Sequence, residues 1–187
     1  NDYIHVRTYK TASLQGDAGD DHLYTHALQF STLSGGAGSD QLTASIDNDR
    51  TRYTSGDQTA AVQAVLDGGE GNDLIDAEKY TEYSGYQGRN TLIGGLGNDT
   101  LRGGFAEGGL KANLSTLDHL YGGLKNGNDV SIDGRDDFWL STSIEGEDVI
   151  YDFNVDQDRL IYDGPKGDLA PKAGSASGKS LFKFEVW

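Results

Sequence analysis

The sequence predicts an all-β fold, a parallel β-roll finished by a C-terminal β cap, on three observations. A glycine-rich nonapeptide recurs along the chain, a large apolar residue follows each glycine cluster at a fixed distance, and aspartate outnumbers glutamate 23 to 7 in a chain of 187 residues with 27 glycines. Glycine loses more backbone entropy on ordering than any other residue, so this many imply turns that require it. Aspartate in excess of the better helix former glutamate implies turns and compact oxygen sites for hard cations.

The clearest copies are GDAGDDHLY from Gly16, GGAGSDQLT from Gly35, GGEGNDLID from Gly68 and GGLGNDTLR from Gly94. They fit G-G-x-G-x-D-x-U-x, with U a large apolar residue, a period that marks a solenoid. A degenerate copy, GYQGRNTLI from Gly85, carries Asn90 in place of aspartate. The chain opens on Asn1-Asp2-Tyr3-Ile4-His5, the second half of the repeat, which leads us to expect a piece of a longer array. Each glycine-rich hexapeptide makes a half-turn and each D-x-U-x tail a short strand, so two repeats complete one coil. Alternation along a strand then points Ile4, Leu23, Leu42, Ile75, Leu92 and Leu101 inward, with Leu14, Leu33 and Leu66 at the matching position of half-turns that lack glycine and aspartate.

Counting half-turns assigns edges. Asp2, Asp21, Asp40 and Asp73 are expected to form one ladder, provided that an insertion at about 44–58 adds no coil, and the opposite edge is expected to stay metal-free until Asp99. A second insertion at about 105–117 has Leu110, Leu114 and Leu117 at helical spacing, after which Asp118-His119-Leu120-Tyr121 resumes the pattern. The stretch from Gly122 keeps Asp129 but puts Ser131 at the core position. Residues 1–132 are thus expected to be the roll. Residues 133–187, with DFWLSTS, EDVIYDFNVDQDRLIYDG and SLFKFEVW alternating like strands, are expected to be capping strands, since a solenoid end otherwise exposes core and sheet edges.

Calcium takes six to eight oxygens from carboxylates and carbonyls in a forgiving geometry, and a glycine half-turn brings several carbonyls together because no Cβ obstructs it. The candidate ligands are the carboxylates of Asp2, Asp21, Asp40, Asp73 and Asp99 and the turn residues Gly16, Ala18, Gly35, Ala37, Gly68, Glu70, Gly94 and Leu96, with Asp118, Asp129 and Asp137 beyond them. Several ions, each bridging two coils, are expected. Extracellular calcium modules bind at about 10⁻⁴ to 10⁻³ M, so such a chain stays loose at cytosolic calcium and folds outside.

These repeats resemble the RTX (repeats-in-toxin) family of Gram-negative secreted toxins, proteases, lipases, epimerases and adhesins. The resemblance runs over about Asn1 to Asp163, and Gly146–Phe153 with Asp156–Ile161 is similar to the family's block after the roll. It implies a calcium-bound parallel β-roll, export unfolded through a type I secretion apparatus with a C-terminal signal, and a secreted or cell-surface location in a Gram-negative bacterium.

Other chemistries fit poorly. The absence of cysteine excludes disulfides, zinc thiolate sites and thiol catalysis. A net charge of −15 supplies no basic face for nucleic acid, and no apolar run is long enough for a transmembrane segment. Ala173–Ser180 satisfies a relaxed phosphate-loop pattern but follows a Gly/Ser/Pro-rich loop rather than a strand. Asp129-x-Ser131-x-Asp133-Gly134 imitates an EF-hand but has Leu140 at its twelfth position. His22 and His26 are four apart on an expected strand and half-turn, where the spacing does not suit zinc. Trp139, Trp187 and the ten tyrosines offer stacking surfaces for sugar rings, with strand and cap packing as the competing use. No catalytic constellation is found. The expected function is a calcium-dependent folding and secretion module of a larger adhesin, toxin or exoenzyme, with a polysaccharide- or cell-surface-binding module as the alternative.

Overall fold

The computed structural model describes residues 1–8, 10–27, 30–45, 62–77, 80–81, 88–103, 106–107, 118–124, 134–141, 148–163 and 182–184. Successive strands alternate between two sheets. The first holds β1 (Tyr3–Thr8), β3 (His22–Ala27), β5 (Gln41–Ser45), β7 (Leu74–Ala77), β10 (Thr100–Arg102), β13 (Asp137–Ser141) and β15 (Arg159–Asp163), in that spatial order. The second holds β2 (Thr11–Ala18), β4 (Phe30–Ala37), β6 (Val62–Glu70), β9 (Gly88–Leu96), β12 (His119–Tyr121), β14 (Asp148–Ile150) and β16 (Phe182–Phe184). Every pairing within these sheets is parallel. The chain is an all-β parallel β-roll.

Register places like on like. Ile4, Leu23, Leu42, Ile75, Leu101, Phe138 and Leu160 align across the first sheet, and Leu14, Leu33, Leu66, Leu92, Leu120 and Ile150 across the second. Most of these side chains are fully buried and meet in one file between the sheets, while Ile4 is only partly covered and Leu160 lies 40 % exposed at the far end. A core one residue thick buries little apolar surface per coil, so the edges must contribute to cohesion. The strands expected to cap the roll, β13 to β16, extend the same two sheets. Phe153 packs against the core there, its ring centroid 5.9 Å from that of Phe138.

The edge count is corrected at Asp99. The expected count put Asp99, and with it the GGLGND turn, on the opposite edge. Instead β7 ends at Ala77 and the next strand of the roll is β9, whereas Tyr80–Thr81 form β8, paired with β11 (Ala106–Glu107) in a separate two-stranded sheet. Thr100 therefore lies beside Leu74, and Asp99 follows Asp73 on the same edge. The connections from β5 to β6, β7 to β9 and β10 to β12 all cross the other edge. Residues 46–61, most of the first expected insertion, and the expected helix over Leu110–Leu117 lie outside the described residues.

Candidate metal centre

One edge of the roll carries a ladder of aspartates, each at the entrance to a strand of the first sheet. The amide of Asp21 donates to Asp40 Oδ1 (2.7 Å), that of Asp40 to Asp73 Oδ1 (2.7 Å), that of Asp73 to Asp99 Oδ1 (2.8 Å) and that of Asp99 to Asp136 Oδ1 (2.8 Å). Asp2 is the exposed first rung, its amide donating to Asp21 Oδ1 and its carbonyl accepting from the His22 amide (2.8 Å). The ladder carbonyls accept in the same way, as from Gln41 to Asp21 and from Leu74 to Asp40 (both 2.8 Å). Asp21, Asp40, Asp73, Asp99 and Asp136 are all buried.

The second carboxylate oxygen is the anomaly. Oδ2 of Asp21, of Asp40 and of Asp73 is buried and accepts no hydrogen bond among the described residues. A buried, unsatisfied anionic oxygen is costly, and native structures keep such groups only where something supplies the missing charge. Burial pushes the Asp73 carboxyl up to about 6, with the charges of Asp40 and Asp67 adding to the rise and the Asp40 amide opposing it. Asp40 is raised for the same first reason. Desolvation, more than mutual repulsion, is what this protein must offset.

The glycines make room for these oxygens. A methyl at Gly16 would lie 2.5 Å from Asp21 Oδ2 and 2.6 Å from the carbonyl oxygen of Gly35, one coil on. At Gly35 and Gly68 the same methyl would strike the Oδ2 of Asp40 and of Asp73 and lie 2.6 Å from the carbonyl oxygens of Gly68 and Gly94. Each turn thus gathers a carboxylate oxygen and a next-coil carbonyl in a space that only glycine leaves open. The carbonyls of Ala37, Glu70 and Leu96 accept from the amides of Gly19, Gly38 and Gly71 (all 2.7 Å), leaving one lone pair each. Ala18 pairs with Ala37 at the start of this row.

The donor set suits a hard cation. Among the described residues no three histidine, aspartate or glutamate side chains converge, so side chains alone make no cage. Carboxylate oxygens spaced one coil apart, with backbone carbonyls between them, are the mixture that calcium accepts.

Other expected site residues fall elsewhere. Asp118 lies on the opposite edge, where the aligned rungs read Ala12, Ser31, Ala64, Asn90, Asp118 and Asp148. Its Oδ1 accepts from the Asn90 amide and from Asn90 Nδ2 (both 3.0 Å), and Asp148, held up to about 6 by burial, is the rung after it. That edge is apolar or neutral in its first half and acidic only toward its end. Asp137 is corrected: strand alternation puts it on the outer face, where Arg159 Nε donates to its Oδ1 (2.6 Å), and the ladder position belongs to Asp136. Asp129 lies outside the described residues, as do Ala173–Ser180 and Trp187. His22 and His26 sit on β3 among outer-face aromatics, His22 edge-on to Tyr3 with centroids 4.8 Å apart and His26 6.4 Å from Tyr24. Trp139 is covered by the Arg102 guanidinium, 4.6 Å above its ring.

The sequence reading missed a second ladder immediately outside the first. Asn1, Asp20, Asn72 and Asn98 each accept through a side-chain oxygen from the amide of the equivalent residue one coil on, as from Asp20 to Asn1 (2.9 Å), Ser39 to Asp20 (2.9 Å), Asn98 to Asn72 (2.8 Å) and Arg135 to Asn98 (2.9 Å). Its signal was legible: the residue before each clear ladder aspartate is Asp, Ser or Asn. It also missed the last turn, where Asp152 replaces the leading glycine. Asp152 accepts from the Gly122 and Gly123 amides (2.8 and 3.0 Å), while Asp158 accepts from Asp136 through Oδ1 (2.9 Å) and from Asn154 through Oδ2 (2.7 Å).

The comparisons with known proteins bear on the turns directly. A family model described as the RTX calcium-binding nonapeptide repeat matches four times, over residues 13–27, 31–57, 65–79 and 84–106. No curated protein and no solved structure matches. The matched spans contain the ladder from Asp21 to Asp99 together with the glycines that cradle it. The chain carries, in four copies, the calcium-binding repeat of the RTX family, folded as a parallel β-roll.

Proposed function

We propose that this segment is the calcium-responsive folding module of a larger secreted protein, an adhesin, toxin or exoenzyme. In this reading it crosses a type I secretion apparatus as a loose chain and folds on meeting extracellular calcium. The buried Oδ2 atoms of Asp21, Asp40 and Asp73, stacked coil after coil without a hydrogen-bond donor among the described residues, carry the reading. A site that binds only the folded state stabilises it by about 2.7 kcal/mol at a free ion concentration 100 times its dissociation constant, and several such sites rival a typical folding free energy of about 5–15 kcal/mol. Circular dichroism during a calcium titration tests this. A cooperative gain of β signal is expected, and a chain fully folded in chelator would overturn it.

A second reading, recognition of a polysaccharide or cell surface, is favoured by one observation. The long connections between consecutive coils cross a single edge, and β8 and β11 pair there outside the roll. In solenoids, insertions gathered on one face often mark the binding face. Glycan arrays and calorimetry with an anionic polysaccharide separate the readings, since a folding module alone binds neither.

A further inference from the structure

We propose that Gly122–Leu124 and Gly134–Asp136 together form a fifth calcium turn, divided by residues 125–133, and that it closes the cation site of the GGLGND turn before it. Without those nine residues the flanks read G-G-L-G-R-D-D-F-W, a complete G-G-x-G-x-D-x-U-x repeat with Phe138 at the core position. None of it falls within the matched repeats.

The structure reproduces at this split turn the relations that define the intact ones. Asp136 is fully buried and its Oδ1 accepts from the Asp99 amide (2.8 Å), as Asp99 accepts from Asp73. A methyl at Gly122 would strike Asp136 Oδ2, as one at Gly35 would strike that of Asp40. Gly134 has a φ of 104°, in the left-handed region like Gly97 at 135°, and a methyl there would strike the Gly97 carbonyl just as one at Gly97 would strike that of Gly71. Arg135 takes its place in the outer ladder through Asn98. Phe138 aligns with Leu101 and is fully buried.

The same turn faces backward onto the one before it. The carbonyl of Gly122 accepts from the Gly95 amide (2.8 Å) and stands over Gly94, where the carbonyls of Gly35, Gly68 and Gly94 stand over Gly16, Gly35 and Gly68. The cleanest repeat of the sequence is thus completed by the turn that sequence matching passes over. The ends of the split turn are 14 residues apart in place of 5. Loop-closure entropy then weakens its assembly by about threefold for each doubling of length, about fivefold in all.

The proposal rests on the calcium reading of the upstream turns, and isothermal calorimetry with calcium on the full chain tests both separately. Asp136→Asn, which keeps an acceptor for the Asp99 amide, is expected to lose one bound ion or to weaken one site by tenfold or more, with the remaining sites retained. Asp129→Asn is expected to bind like the unmodified chain. Deleting residues 125–133 restores a contiguous repeat, guards against a misfolded point variant, and is expected to keep the ion count while tightening the weakest site about fivefold. Unchanged binding by Asp136→Asn, loss of an ion in Asp129→Asn, or loss of an ion on deletion would each overturn the split turn. An unmodified chain that binds no calcium would instead overturn the reading of all the turns.

Discussion

The turns at Asp21, Asp40 and Asp73 and the turn from Asp152 to Asp158 solve the same electrostatic problem by different means. In both, a ladder carboxylate accepts through Oδ1 from the preceding coil, at 2.7 Å for the buried rungs Asp40 and Asp73 and at 2.9 Å for the half-buried Asp158. In the last turn the other oxygen is met within the protein, by the Asn154 amide at 2.7 Å, and Asp152 replaces glycine and grips the amides of Gly122 and Gly123. In the earlier turns glycine stands against Oδ2, which among the described residues is left without a donor. Identical ladder geometry thus yields a self-sufficient turn at one end and cation-demanding turns along the rest.

Several experiments break or sharpen this contrast. The largest effect is expected from calcium removal: chelator should abolish most of the cooperative thermal transition followed by circular dichroism. Next come the core and the ladder. Leu66→Ala, at the centre of the file, is expected to cost about 2–5 kcal/mol in calcium-saturated denaturation. Asp40→Ala is expected to raise the calcium midpoint by tenfold or more. Ser31→Ala, on the opposite edge where Ser31 accepts from Thr25 (3.0 Å), should cost about 1 kcal/mol and leave the midpoint unmoved. Equal shifts for the two would refute the one-edged ladder in these coils. Asp158→Ala is expected to cost about 1–3 kcal/mol at every calcium concentration, with the number of bound ions unchanged, because its partners are protein amides.

The smallest effect is a pH dependence of opposite sign in the two states. The Asp73 carboxyl is raised from 3.8 to about 6 in the metal-free fold, so protonation favours that fold. Its contribution is complete below 3.8 and is lost as pH rises through about 6. The residual β signal in chelator should therefore rise as pH falls from 7 toward 4. With calcium present, the same acidification should lower the melting temperature, since the ion requires ionised carboxylates. Loss of folded signal on acidification in both conditions would contradict the assignment of Asp73 as a desolvated, charge-demanding rung.

Much of this architecture was legible because it is periodic. Spacing alone pointed Leu23, Leu42, Ile75 and Leu101 into the core and put Asp21, Asp40 and Asp73 on one edge. What spacing misread were the interruptions. Half-turn counting moved Asp99 across the roll, whereas the roll runs from β7 through β9 straight to β10. The insertion 125–133 hid Asp136 by separating G-G from G-x-D, and made the local candidates Asp129 and Asp137 look like better matches. The turn from Asp152 to Asp158 was opaque for another reason: three of its bonds run from side chains to amides one coil back, a relation that no local pattern encodes.

The central claim is that calcium, and not the chain, neutralises the ladder. Residue-resolved hydrogen exchange with and without calcium tests it most directly. The amides of Asp21, Asp40 and Asp73, which donate within the ladder or to its neighbouring carboxylates, are expected to exchange freely in chelator and to gain protection of at least a hundredfold on calcium addition. The amides of Gly122, Gly123 and Asn154 are expected to gain far less. Ladder amides equally protected in both conditions would contradict the account.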